Sequence, residues 1–320
     1  MEFDIPKARP IWQELPEHFK INVIKMLPYV SRCKLRMCSQ ADKETVDKTE
    51  MRIKTITLKC QTNFRVNIKI RPALPDDDIF FERDFFATSS SLVRIFSNPI
   101  IKVRRLIMEF ILIPELVLEL MRANLKNIKV DQIFMKNLCH GDGRSGLKDS
   151  FLDLLSHLEV KTMIVSGRCL PKNFEKLVAM DQWKKAKGVY FANENQFEIR
   201  HFLHLNSLRL WLKRLSIEEA NVLIENFINK ESFEHRSTFF QINTAQKMEP
   251  DVILPGCDNY WKKELVDMNE NNYELIRVQN FKMAHSEDLI FVVKATETML
   301  AGSLCRPSFV HDDFMDSPLI

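Results

Sequence analysis

The chain has 320 residues, 45% hydrophobic and 28% charged, and its 46 basic and 43 acidic side chains leave a formal net charge of +3. That is the make-up of an ordinary soluble globular protein. Near-balanced, interspersed charge argues against nucleic acid or an anionic membrane as partner, since both select clustered basic residues. Only seven glycines stand beside 23 phenylalanines and 14 methionines, which leaves little material for phosphate-cradling loops and much for packing.

Residues 11–50 read as compact helices. Leu15, Phe19, Val23 and Leu27 recur every fourth residue, and Pro16 suits the start of a helix, where its missing N–H costs nothing. Pro28 ends that helix, Ser31 can cap a second carrying Leu35 and Cys38, and a third holds Val46. Three short helices bury too little surface to stand comfortably alone. From residue 53 the pattern turns strand-like, at 53–60 and 66–70, followed by a looser stretch with Pro72, Pro75 and Asp76–Asp78. Strands are then expected at 101–108, 128–135, 160–166, 187–191, 207–212 and 238–242, with helical patterns at 114–125, 147–157, 172–185, 196–204 and 216–229. The last helix opens on Ser216 with Glu219 three residues on, a capping box. Runs at 273–279 and 289–294 can pair as a closing hairpin, and the final dozen residues carry no period.

The expected class is therefore α/β. Strand followed by helix every 20 to 35 residues is the rhythm of stacked α/β units resembling leucine-rich repeats. A doubly wound sheet also alternates, but short strands and unequal unit lengths favour an irregular stack. The expected division is a helical module over 8–52, an α/β repeat-like domain over 53–300, and a loose tail over 301–320.

The seven cysteines, at 33, 38, 60, 139, 169, 257 and 305, are scattered and odd in number, matching neither a zinc site nor a disulfide framework. The opening MEFDIPKARPIW places acids and prolines where a signal peptide needs an apolar run. No stretch approaches ~18 uncharged apolar residues, so no spanning helix is expected. A cytoplasmic or nuclear location follows.

The segment IWQELPEHFKINVIKMLPYVSRCKLRMCS carries Trp12, the Leu15–Pro16 pair, Val23, Leu27, the Leu35–Arg36 pair and Cys38–Ser39, with Val46 downstream. In that order these residues resemble the F-box. A second region, about 145–240, holds MDQWKKAK from Met180, then Phe197 and Phe202, then SIEEANVLIENF from Ser216. It resembles the FTH domain of the nematode-expanded family of F-box proteins. The resemblance implies an adaptor of a cullin-based ubiquitin ligase in ubiquitin-dependent protein degradation. The F-box would bind a Skp-type linker protein, the linker would reach a cullin scaffold, and the C-terminal domain would bind a protein substrate. Leu15, Pro16, Val23, Leu27 and Leu35 are the linker contacts it implies, with Met26 and Cys38 beside them at helical spacing. The alternative is a stand-alone interaction scaffold with no ligase partner.

Other motifs carry less. Gly141-Asp142-Gly143-Arg144-Ser145-Gly146 is a formal G-x-G-x-x-G, but Asn137 to His140 separate it from the preceding strand, so the tight turn of a dinucleotide site is missing. His201 and His204 lack a third ligand, Asp76–Asp78 point different ways, and Trp183 among Lys184, Lys185 and Lys187 reads as a helix end. No nucleophile elbow occurs. The chain is thus expected to have no catalytic residues, no metal and no cofactor. In Ser207–Leu212 the leucines alternate with Arg209 and Trp211, which makes those two the candidate substrate contacts on an outward strand face.

Overall fold

Prolines set the first boundaries. Pro16 and Pro28 each occupy the residue before a helix, with φ of −54° and −56°, the value their rings impose. Leu27, held extended before Pro28 at ψ 140°, shows the restriction a proline places on its predecessor. The resulting helices are α1 (Glu17–Met26), α2 (Tyr29–Arg36) and α3 (Gln40–Lys48), after a 3-10 turn at Trp12–Glu14. The cap expected at Ser31 is not one: α2 begins two residues earlier, because Pro28 already supplies the break. Ser39 caps α3, accepting from the Asp42 N–H at 3.1 Å.

The computed structural model describes residues 12–60, 65–72, 79–109, 113–136, 149–166, 171–231, 238–255, 260–264 and 273–306. They fall into two compact units, Met1–Asp131 and Gln132–Ile320. The division expected near residue 52 does not appear as a compact-unit boundary. Among the described side chains of α1–α3 the buried apolar ones are Ile24 and Val46, too few for an independent core, and the helices belong to the same unit as the strands that follow.

In the first unit β1 (Met51–Cys60) pairs antiparallel with β2 (Arg65–Pro72), β2 antiparallel with β3 (Ile79–Asp84), and β1 parallel with β4 (Ile101–Glu109). Helix α4 (Phe85–Phe96) packs on α5 (Ile113–Arg122). Ile56, Leu58, Ile68, Leu92, Leu106 and Leu116 lie almost wholly inside. Asn124, at φ 51°, takes the left-handed position after α5 while Leu125 donates back to the Leu120 carbonyl at 3.0 Å; asparagine tolerates that conformation better than other non-glycine residues. β3 and α4 occupy residues just after the stretch read from the sequence as loose, where no element is expected. Strand β5 (Ile128–Lys136) runs across the division.

The second unit carries the repeat-like stack. β6 (Leu158–Ser166), β7 (Gly188–Asn195), β8 (Ser207–Leu212) and β9 (Phe239–Thr244) pair side by side in chain order, all parallel. α6 (Asp149–His157), α7 (Pro171–Ala179), α8 (Asp181–Lys185) and α9 (Ile217–Ile228) fall before or between them, and the short α10 (Pro250–Ile253) follows. The expected helix over 172–185 is two helices, parted where Met180 turns extended at ψ 146°. The one over 196–204 is a 3-10 turn at Ile199–Phe202. Ile199, Phe202 and Leu205 are all at most 1% exposed, a spacing of three that matches the 3-10 period.

Beyond β9 the pairing becomes antiparallel through β10 (Tyr260–Glu264), β11 (Tyr273–Met283), β12 (Ser286–Ala295) and β13 (Met299–Cys305). β11 and β12 form the expected hairpin, but β13 lies between it and β9. Residues expected to open a loose tail at 301 are thus a sheet strand. Its Gly302 sits where an added Cβ would come within 2.5 Å of the Phe240 and Phe291 rings, so those two aromatic rings exclude a side chain there.

Candidate functional site

Helix α1 presents two faces. Ile24 is wholly buried, and Lys20, Ile21 and Leu27 flank it on the inward side. Phe19 and Met26 fall on the opposite side, 49% and 69% exposed, with Val23 half-buried beside them. Apolar residues three, four and seven apart share one stripe of a helix, and a stripe left in water favours a partner that covers it. Of the remaining candidates, Leu15 and Leu35 are half-buried, while Pro16 and Cys38 are exposed. Met37, in the turn between α2 and α3, is 80% exposed. Phe19 and Met37 were not among the sequence candidates. The Phe19 spacing to Val23 and Met26 could have revealed it, whereas nothing periodic marks Met37.

Polar ties hold the helices under this surface. The Trp12 indole donates to Asp42 Oδ1 at 2.6 Å, joining the first turn to α3. Arg36 grips Asp47 with two bonds, at 2.6 and 3.0 Å. Arg32 is buried and donates to the carbonyls of Lys25 at 2.8 Å, Leu27 at 3.0 Å and Glu50 at 3.0 Å. Burial lowers the affinity of its guanidinium for the proton. The planar fork can satisfy several acceptors at once, which a lysine cannot reproduce.

The second surface is the outward side of β7–β9. Leu208, Leu210 and Leu212 are at most 1% exposed, while Arg209 is half-buried and Trp211 is 45% exposed, the alternation expected of a strand with one covered side. The Arg209 guanidinium lies 5.7 Å from the Tyr190 ring centre, and Tyr190 stacks with Phe239 at 6.1 Å. Gln241 and Asn243 stand opposite Arg209 and Trp211 in the register. Gly188 completes the row: a Cβ there would lie 2.2 Å from Ser207 Oγ.

Trp183, His201 and His204 meet in one packed cluster. Trp183, only 2% exposed, donates to the His201 carbonyl at 3.3 Å, and His204 Nε2 meets the Trp183 carbonyl at 3.0 Å. Phe174 and Phe202 pack against the Trp183 ring, and Phe174 in turn contacts Phe191 and Phe197. Burial, the leading cause, pulls the His204 imidazole below its ordinary range. Among the described residues no three His, Cys, Asp or Glu side chains gather as a metal would require. The glycine-rich run 141–146 and Asp76–Asp78 lie outside the described residues. Among the described residues no helix is long and apolar enough to cross a membrane.

Comparison with protein families gives two matches: the F-box domain over residues 12–54 and the FTH domain over 90–254, just over half of the chain. The second match begins earlier and ends later than the 145–240 region read from the sequence, taking in part of α4 at one end and α10 at the other. No curated protein and no solved structure matches the chain.

Proposed function

The chain belongs to the FTH-domain family and carries an F-box ahead of that domain, and on that premise we propose that it recruits substrates to a cullin-based ubiquitin ligase. An F-box suggests a ubiquitin-ligase adaptor role in general, and F-box domains generally bind Skp-type linker proteins. Both families are adaptor or interaction domains rather than enzymes.

In this reading the linker covers Leu15, Pro16, Val23, Met26, Leu35 and Cys38, with Phe19 completing the α1 stripe, whereas Leu27, expected as a contact, flanks Ile24 on the inward side of α1. The observation that carries it is the exposed apolar side of α1, where Phe19 and Met26 are 49% and 69% exposed. A specific interface buries roughly 1,600 Å² in total, and large apolar side chains at its centre supply much of the affinity. The outward face of β7–β9, with Arg209 and Trp211, receives the protein substrate. Arginine and tryptophan are over-represented among the residues that dominate binding energy.

Co-expression of the full chain with a Skp-type linker tests the reading. A stoichiometric complex that survives size-exclusion chromatography is the expected outcome. A chain that stays alone, while still capturing a cellular protein through Arg209 and Trp211, would instead make it a stand-alone scaffold.

A further inference from the structure

Within the first unit, the end of α1 and strands β1, β2 and β3, together with α4, wall a cavity of about 740 Å³. That is inside the ~300–1,000 Å³ range of pockets that enclose small organic ligands. Leu27, Met51, Ile70, Ile79, Ile95 and Ile101 line it, and none of the six is fully buried. The fold therefore leaves apolar surface there that a ligand could cover.

The charges around this surface are unbalanced. Among the described residues, Lys25, Arg32, Arg52 and Arg94 line the cavity against a single carboxylate, Glu50. Arg52 already holds Glu50 at 2.6 Å, and Arg32 is committed to backbone carbonyls. The Glu50 carboxyl is held below its ordinary range, first by the Arg52 hydrogen bond and further by the charges of Arg52, Lys102 and Lys25. Arg94, exposed on the last turn of α4, makes no hydrogen bond or ion pair with any described residue. An exposed cation lining an apolar cavity, with no described acid paired to it, is complementary to an anion that carries an apolar body.

We propose that this cavity binds a small amphipathic organic anion, its hydrocarbon body against the isoleucines and its single carboxylate on Arg94. A concave volume closed by several elements suits a compact ligand better than an extended peptide, which is recognised along a sheet edge or an open groove. The proposal does not depend on the ligase reading, because it concerns the cavity and not the exposed side of α1.

Isothermal titration of the full chain with dodecanoate, kept below its micelle concentration, tests it. The expected result is saturable one-to-one binding, with 1-dodecanol and dodecyltrimethylammonium each weaker by about tenfold or more. Arg94→Gln, a change at an exposed position, should weaken dodecanoate by about tenfold with the melting temperature unchanged. Ile95→Trp, which fills the cavity, should abolish binding, and its melting curve reports whether it folds. Absence of saturable binding, equal affinity for the three chains, or indifference to Arg94→Gln would overturn the proposal. So would binding of an acidic apolar peptide in place of dodecanoate.

Discussion

Arg32 donates to the carbonyl of Glu50 at 3.0 Å, hooking α2 to the residue that leads into β1. The same guanidinium closes the end of α1 through the carbonyls of Lys25 and Leu27. One buried side chain thus serves three backbone acceptors from two chain segments. Arg32→Met should cost roughly 2–4 kcal/mol, because hydrogen bonds to a charged donor are worth about 1.5–3 kcal/mol each and are not additive. Arg32→Lys should recover less than half, since an ammonium cannot copy the fork. Urea denaturation of the full chain measures both. A Lys variant as stable as the parent would show that charge, not geometry, matters here.

The tight fit around Gly302 gives a second prediction. An added Cβ would meet both Phe240 and Phe291 at 2.5 Å, and these rings pack with Phe227 of α9 in one cluster. Gly302→Ala should destabilise by about 1–3 kcal/mol, the scale of overpacking. Adding Phe240→Leu should restore part of that loss, so that the two changes are not additive. Strict additivity in a double-mutant cycle would mean the rings move aside without cost.

These two sites show what could and could not be read in the sequence. Strands with strong apolar alternation, such as Leu208-Arg209-Leu210-Trp211-Leu212, were legible almost to the residue. β13 was not, because Gly302 is small to accommodate the rings and, with Ala301 and Ser303 beside it, does not look like part of a strand. Helix α4 escaped for another reason. Its Thr88 and Ser91 hydroxyls donate to the Asp84 and Ala87 carbonyls one turn back, so polar side chains are satisfied on the helix itself and break the apolar period. Asp84, which caps α4 by accepting from Ala87 at 2.7 Å, was the available signal. In the candidate site the Leu-Pro start and the α1 period were legible. Met37 was not, since a side chain exposed in a turn leaves no pattern.

Lys230 supplies a pH dependence. Its ammonium reaches the carbonyls of Leu203 and Leu205 and lies 4.3 Å from the centre of the Phe227 ring. Burial pulls its pKa from 10.5 down to about 8. Between those values the unfolded chain holds a proton that the folded chain has released, so this lysine makes stability rise as pH increases from about 8 toward 10.5. Lys230→Met should remove that contribution. Urea curves for parent and variant between pH 7.5 and 9.5 isolate it, and identical slopes against pH would contradict the assignment.

For the strand face, changing half-buried Arg209 to Ala or exposed Trp211 to Ala should each alter stability by no more than about 1 kcal/mol, the usual scale away from the core, while weakening capture of the substrate. Trp211 is 45% exposed beside Glu194 and Asn243 in the register. A denaturation loss near the ~3–5 kcal/mol of truncating a buried aromatic would make Trp211 a packing residue and remove this face from the substrate account.

The central claim is that the α1 end of the chain docks a Skp-type linker. Leu15→Asp combined with Pro16→Ala tests it most directly, because a carboxylate buried without a partner in an apolar interface costs several kcal/mol. The measurement is the affinity of purified linker for the parent and for the double variant, with a melting curve to show that each remains folded. The account predicts tight, saturable binding by the parent and loss of at least a hundredfold in a folded double variant. Equal affinity of the two proteins for the linker would contradict it.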